Sequence, residues 1–151
     1  LTPIRRLPIF ILVMETTTQQ PTISVNVKHE ISLERISSLL CSAFEGGSNY
    51  WYQIDKFIKP KNLSFRTDED QIFRHLDYPL NEGGALIISD IEGDLNEPPW
   101  KRLDLDAIKK GLQIMAEKYP RHMGDFLNDN DDADTGDVFL QCCLFGDAIY
   151  G

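Results

Sequence analysis

The sequence predicts one α+β domain: a small, mainly antiparallel sheet with helices packed on one face. Three observations carry that expectation. Residues 85–91 hold a continuous apolar run, Leu86-Ile87-Ile88, as a central strand would. Residues 33–44 place Leu33, Ile36, Leu39, Leu40, Ala43 and Phe44 at helical spacing. Residues 105–119 do the same with Leu105, Ile108, Leu112, Met115 and Tyr119. A parallel arrangement stays open, because the helix at 33–44 follows a predicted strand and could serve as a crossover.

Taken in order, residues 1–13 stand apart. Arg5 and Arg6 precede the apolar run Leu7-Pro8-Ile9-Phe10-Ile11-Leu12-Val13. That run falls well short of the about 20 apolar residues that span a bilayer. No small-residue cleavage site follows it. Met14 opens a polar stretch, so 1–13 reads as a translated leader, 14–21 as a disordered start and 22–151 as the folded domain. Residues 22–27 alternate, with Ile23, Val25 and Val27 on one face, and predict a half-buried strand. Ser32 is placed to cap the helix at 33–44. Gly46 is placed to end it in the left-handed conformation, which glycine enters without a Cβ clash.

Residues 50–58 predict a second strand, with Tyr50, Tyr52 and Ile54 facing one way and Trp51, Gln53, Asp55 and Phe57 the other. A short helix is expected around 68–76 and a turn over 79–84. After the strand at 85–91, Glu92-Gly93-Asp94 turns the chain and Pro98-Pro99 marks a rigid surface connection. Asp104 or Asp106 can cap the helix at 105–119, which Pro120 interrupts. Residues 121–127 predict one or two further helical turns. Residues 128–137 read as a polar loop and 138–145 as a last helix. Asp134 is its expected N-cap, and Asp137 a first-turn carboxylate that suits its dipole.

The chain has 151 residues and is 42% hydrophobic, enough for one domain with a true core. Its net charge of −9 repels nucleic acid and anionic membrane surfaces, so neither is an expected partner. The same charge suits a basic protein surface or a metal-bridged ligand. No lysine or arginine follows Arg121, so the C-terminal part is acidic throughout. Cys41, Cys142 and Cys143 are odd in number and lack a CxxC pair. They read as buried free thiols rather than a disulfide framework or a zinc site.

The segment most suited to a ligand is Glu45-Gly46-Gly47-Ser48-Asn49-Tyr50-Trp51-Tyr52. Its glycines let backbone amides approach a ligand, Ser48 and Asn49 add polar groups, and the aromatics offer faces for stacking. The competing reading is a helix end followed by core aromatics, in which case the Trp51 N–H needs a buried partner. The Asp-rich stretch has the alternate spacing of a calcium loop at Asn130, Asp132 and Asp134. Thr135 replaces the required glycine and Gln141 the closing glutamate, so no metal is expected there. Asp90, Glu92 and Asp94 follow a strand as metal-binding carboxylates do, but no lysine accompanies them and a strand-ending turn is the simpler reading. His29, His75 and His122 are scattered, as surface or capping residues are. Without a Walker loop, HExxH, G-x-S-x-G or an assembled nucleophile and base, no catalytic residue and no cofactor is expected.

If the two unusual stretches form one site, Glu45, Asn49 and Trp51 lie near Asp134, Asp137 and Gln141, with Trp51 as a stacking wall. The candidate ligand-binding set is then Glu45, Gly46, Gly47, Ser48, Asn49, Tyr50, Trp51, Asp134, Asp137 and Gln141. Otherwise each motif caps its own helix and Trp51 is core.

The pairing of Ser38-Leu39-Leu40-Cys41-Ser42-Ala43-Phe44-Glu45-Gly46-Gly47-Ser48-Asn49-Tyr50-Trp51 with Asp132-Ala133-Asp134-Thr135-Gly136-Asp137-Val138-Phe139-Leu140-Gln141 and Phe145-Gly146 resembles a group of small bacteriophage and prophage proteins. The resemblance covers about 23–151 and leaves out 1–13. It implies a mobile-element origin and a cytoplasmic setting, and carries over no catalytic residue. The expected function is a non-enzymatic phage accessory protein that binds a host or phage protein through an acidic surface. The alternative is a small-ligand or metal site, of nucleotide-processing or phosphoesterase class, built from the glycine-aromatic segment and a carboxylate cluster. A protein-binding surface spreads its carboxylates over an exposed face, whereas a metal site converges them.

Overall fold

The computed structural model describes residues 19–65, 75–93 and 99–151. The expected leader at 1–13 lies outside the described residues, as do most of 14–21 and of the helix expected around 68–76. The chain divides into Leu1–Glu30 and Ile31–Gly151. In the first unit, residues 19–30 have no regular secondary structure. The strand expected at 22–27 is not formed: Ile23, Val25 and Val27 are 91%, 77% and 70% exposed. Their alternation is genuine, but a strand is held by a neighbour that takes its N–H and C=O groups. Among the described residues none does so.

The second unit is α+β, as expected. Strands β1 (Tyr52–Ile58), β2 (Ala85–Asp90) and β3 (Trp100–Leu103) form an antiparallel sheet in that order. The open parallel alternative is thereby closed. β3 is not among the expected strands, because four residues after a Pro-Pro pair are too few to show a period. Ile54 lies opposite Ile88, and Leu86 opposite Leu103. Between Ile54 and Lys56 the register shifts, and Asp55 is the extra residue. A bulge of this kind flips the alternation, so Phe57 joins the face of Leu86 rather than that of Gln53. Leu86, Ile88 and Leu103 are fully buried on the inner face. Gln53, Lys56, Trp100 and Arg102 stand exposed.

Helices α1 (Leu33–Ser42), α2 (Leu105–Lys118), α3 (Pro120–Leu127) and α4 (Ala133–Phe145) complete the unit, with a 3₁₀ turn at His75–Leu80. Ser32 caps α1, its Oγ accepting from the Arg35 N–H at 3.2 Å. Asp104 caps α2 by accepting from the Ala107 N–H at 3.0 Å. Pro120 does more than interrupt: it occupies the first turn of α3, where its missing N–H costs nothing.

The start of α4 corrects the sequence reading. Its N-cap is Asp132, whose Oδ1 accepts from the Thr135 N–H at 3.0 Å, and Asp134 sits in the first turn. Its buried residues run continuously from Thr135 to Asp137 and from Phe139 to Cys142, so no stripe marks where the helix begins. Leu39, Leu40, Trp51, Ile108, Met115, Phe126, Phe139 and Leu140 close the core between helices and sheet. Each fully buried apolar side chain contributes about 1.5–3 kcal/mol relative to exposure.

Cys142 and Cys143 are free thiols. Cys142 is buried, Cys143 partly so, and Cys41 is exposed, against the expectation of three buried thiols. Burial pushes the Cys142 thiol up to about 11 and that of Cys143 well above its ordinary value, which leaves both unreactive. Among the described residues no helix is long and apolar enough to cross a membrane.

Candidate functional site

The helix that leads into the glycine-aromatic segment does not stop at Gly46. It widens into a π turn, Ala43–Gly47, and neither Gly46 nor Gly47 has a positive φ. The glycines serve close approach instead. A Cβ on Gly47 would lie 2.1 Å from the Ala133 carbonyl oxygen and 3.1 Å from the Asp137 nitrogen. A Cβ on Gly136 would lie 2.7 Å from the Ala43 nitrogen. Each unusual stretch thus supplies the glycine that admits the other's backbone, and α4 crosses the π turn almost in backbone contact.

This contact places Asp137 directly beneath the aromatics. Its Oδ1 accepts from Ser48 Oγ at 2.8 Å and from Trp51 Nε1 at 2.7 Å. Its Oδ2 accepts from the Tyr50 hydroxyl at 2.7 Å. Asp137 is 8% exposed, and Ser48 and Trp51 are fully buried. A buried carboxylate is costly unless several donors satisfy it, and these three donors do. Burial, and then donation to Asp137, push the Tyr50 hydroxyl up to about 12.

One helical turn further on, Gln141 is fully buried. Its Oε1 accepts from the backbone N–H groups of Ile149 at 2.7 Å and Tyr150 at 2.8 Å. Its Nε2 donates to the Tyr150 carbonyl at 3.3 Å. The residues after α4 are thereby folded back over Trp51. The Tyr150 ring lies 6.0 Å from that of Trp51, and its hydroxyl donates to Asp90 Oδ2 at 2.7 Å. Burial and the Asp90 carboxylate push Tyr150 up to about 12. Tyr119 fastens the same segment through Asp147.

The structure therefore brings Ser48, Tyr50, Trp51, Asp137 and Gln141 together and sets Gly46 and Gly47 against α4. It leaves Glu45, Asn49 and Asp134 exposed around them. The two stretches meet, as a shared site requires, and Trp51 is core, as the competing reading requires. The polar atoms of Ser48 and Trp51 are directed at Asp137, and those of Gln141 at the returning chain. Sequence reasoning misses Gly136 and Tyr150, and raises Asp90 as a strand-end carboxylate without its Tyr150 contact. It does raise the Trp51 N–H as a group in need of a buried partner, and Asp137 is that partner. No family model, curated protein or solved structure gives a significant match to the chain.

The exposed rim of this knot is acidic. Glu45, Asp129, Asp132 and Asp134 are exposed. Hydrogen bonding from the Thr135 N–H holds the Asp132 carboxyl below its ordinary value. Asp131 is different, with its side chain 8% exposed and 2.9 Å from Arg35 Nη2. Arg35 also meets Asp129 at 3.0 Å and the Phe126 carbonyl at 2.7 Å, and stacks 4.8 Å above the Phe126 ring. This cation is held within the fold. His122 Nδ1 lies 3.1 Å from Thr135 Oγ1, a side-chain contact between the starts of α3 and α4. Among the described residues no three His, Cys, Asp or Glu side chains converge where a metal could sit. A depression of about 480 Å³ opens beside the start of α2, but Arg102 and Asp104 on its wall already pair at 3.1 Å.

Proposed function

We propose that the chain is a non-enzymatic accessory protein of phage or prophage origin that binds a basic host or phage protein through its acidic face. The observation that carries this reading is the spread of exposed carboxylates: Glu45 in the π turn, Asp129 in the loop after α3, and Asp132 and Asp134 at the start of α4. They stand apart over a surface, as recognition of a basic partner demands, rather than gathered about a point. The nearby Arg35 is already engaged with Asp131 and Asp129. The buried knot beneath supplies a rigid platform, which lowers the entropy cost of binding. The phage origin rests on the paired segments that resemble phage proteins, and the knot gives those segments a physical reason to occur together.

Affinity capture from infected host lysate at low and high salt tests the reading. A basic partner should be retained at low salt and released at high salt, since exposed charges are screened within about 10 Å at 0.1 M. The triple variant Glu45→Gln, Asp129→Asn, Asp134→Asn should fail to retain it. Capture that ignores both salt and the triple variant contradicts the proposal.

A further inference from the structure

The run Thr22-Ile23-Ser24-Val25-Asn26-Val27 keeps the alternation of a strand without forming one. Its Ile23, Val25 and Val27 are 91%, 77% and 70% exposed. The run is rich in β-branched residues and holds no charge, proline or glycine. A segment of that composition pairs readily once an open sheet edge is offered to it. Among the described residues its backbone N–H and C=O groups have no strand partner, so they are available for a ladder.

The sheet supplies such an edge. In the order β1-β2-β3, β1 has a strand on one side only among the described residues. β3 also ends the sheet, but it is four residues long and packs against α2 and α4. β1 is seven residues long, and its principal neighbours are β2 and the 3₁₀ turn. Its core-facing row is incompletely covered. Tyr52 and Ile54 pack on the core yet are only half-buried, and Phe57 on the same face is 44% exposed. The bulge at Asp55 and the charge of Lys56 guard this edge against indiscriminate pairing. A strand that joins it has to be short and apolar at alternate positions, and residues 22–27 are both.

We infer that residues 22–27 of one copy of the chain add as a fourth strand to the β1 edge of a second copy, with Ile23, Val25 and Val27 beside Tyr52, Ile54 and Phe57. The exchange is reciprocal, so two copies close into a dimer and recruit no third. Pairing of two 22–27 segments with each other would give only a two-stranded ribbon, which is marginal in water. The segment brings none of the chain's net charge of −9 to the contact. The inference goes beyond the acidic-face reading and does not depend on it.

Sedimentation equilibrium of the intact chain at low and high salt tests the inference, together with hydrogen exchange resolved along the sequence. A dimer should form as concentration rises. Added salt should tighten it, because two chains of net charge −9 repel and salt screens that repulsion. Binding of a basic partner to the acidic face has the opposite salt dependence, so the two readings fail separately. On dimerisation the amides of 22–27 and of β1 should slow together, while those of β3 stay constant. The double variant Ser24→Pro, Val25→Pro removes N–H groups from both sides of the added strand and should weaken the dimer by about tenfold or more. Val25→Ile should retain it. Both replaced residues are exposed and outside regular secondary structure, so the fold should survive, as an unchanged urea midpoint would show. A monomer at every concentration and salt, a dimer indifferent to the double variant, or slowed exchange at 22–27 without slowing at β1 overturns the inference.

Discussion

Asp137 accepts from Ser48, Tyr50 and Trp51, and two of these donors are fully buried. Asp137→Ala leaves them without an acceptor, and each unsatisfied buried group costs about 1–3 kcal/mol. The expected loss is therefore about 3 kcal/mol or more by urea unfolding. Asp137→Asn keeps one acceptor oxygen for Ser48 and Trp51 and should cost much less. Trp51→Ala should likewise be a folding defect, about 3–5 kcal/mol, as for other buried aromatics. Alkaline pH probes the same contacts. Tyr50 and Tyr150 are both raised from 10.0 to about 12 in the folded chain. A raised folded value means the folded state keeps a proton that the unfolded state gives up. The contribution is whole below pH 10 and is lost as pH climbs toward 12. Tyr50→Phe with Tyr150→Phe should flatten the fall in stability over that window, and an equally steep fall would count against these contacts. The sequence shows that Trp51 needs a partner but not which one. Asp137 and Gln141 do leave a trace: two polar residues four apart in the otherwise apolar run 136–145 share one face.

At the scale of elements, the crossing of α4 over the π turn depends on backbone contact at Gly47 and Gly136. Gly47→Ala would drive a Cβ to 2.1 Å from a backbone oxygen, and Gly136→Ala to 2.7 Å from a backbone nitrogen. Neither neighbour can rotate away, so each variant should lose several kcal/mol, the upper end of about 1–3 kcal/mol for overpacking or beyond. Gly46→Ala is the control, because its Cβ would sit 3.9 Å from the Ala133 Cβ in ordinary contact. Thermal unfolding should rank Gly46→Ala near wild type and the other two far below. The double variant Gly47→Ala, Gly136→Ala should cost less than the two single losses added, since both open the same crossing. Helices α1 and α2 are legible from their stripes and caps, β1 and β2 from their strand patterns at 50–58 and 85–91, and α3 as the further turns expected at 121–127. The rest is not, for reasons of packing. α4 has no stripe because it is buried nearly all round, β3 is too short to alternate, and residues 22–27 alternate without gaining a neighbour. The π turn is read as a glycine stop because sequence shows a flexible residue and not the backbone that lies against it.

Over the whole molecule, the acids and the cations are distributed unevenly. Lys56 and Arg102 stand exposed on the open face of the sheet, while the π turn and the α4 start present carboxylates. Asp131 does not belong with them. Arg35 meets both Asp129 and Asp131, but the Asp131 side chain is 8% exposed against 78% for Asp129, so Asp131→Asn should lower stability, whereas Asp134→Asn should leave stability unchanged and weaken binding. Asp132→Asn is also tolerable, because asparagine caps a helix about as well as aspartate. The most direct test of the account is the affinity of the wild type for oligolysine across a salt series, set beside that of Glu45→Gln, Asp129→Asn, Asp134→Asn. The account predicts that wild-type affinity falls steeply with salt, and that the variant binds weakly with a shallower slope. Affinities that coincide at every salt concentration would contradict it.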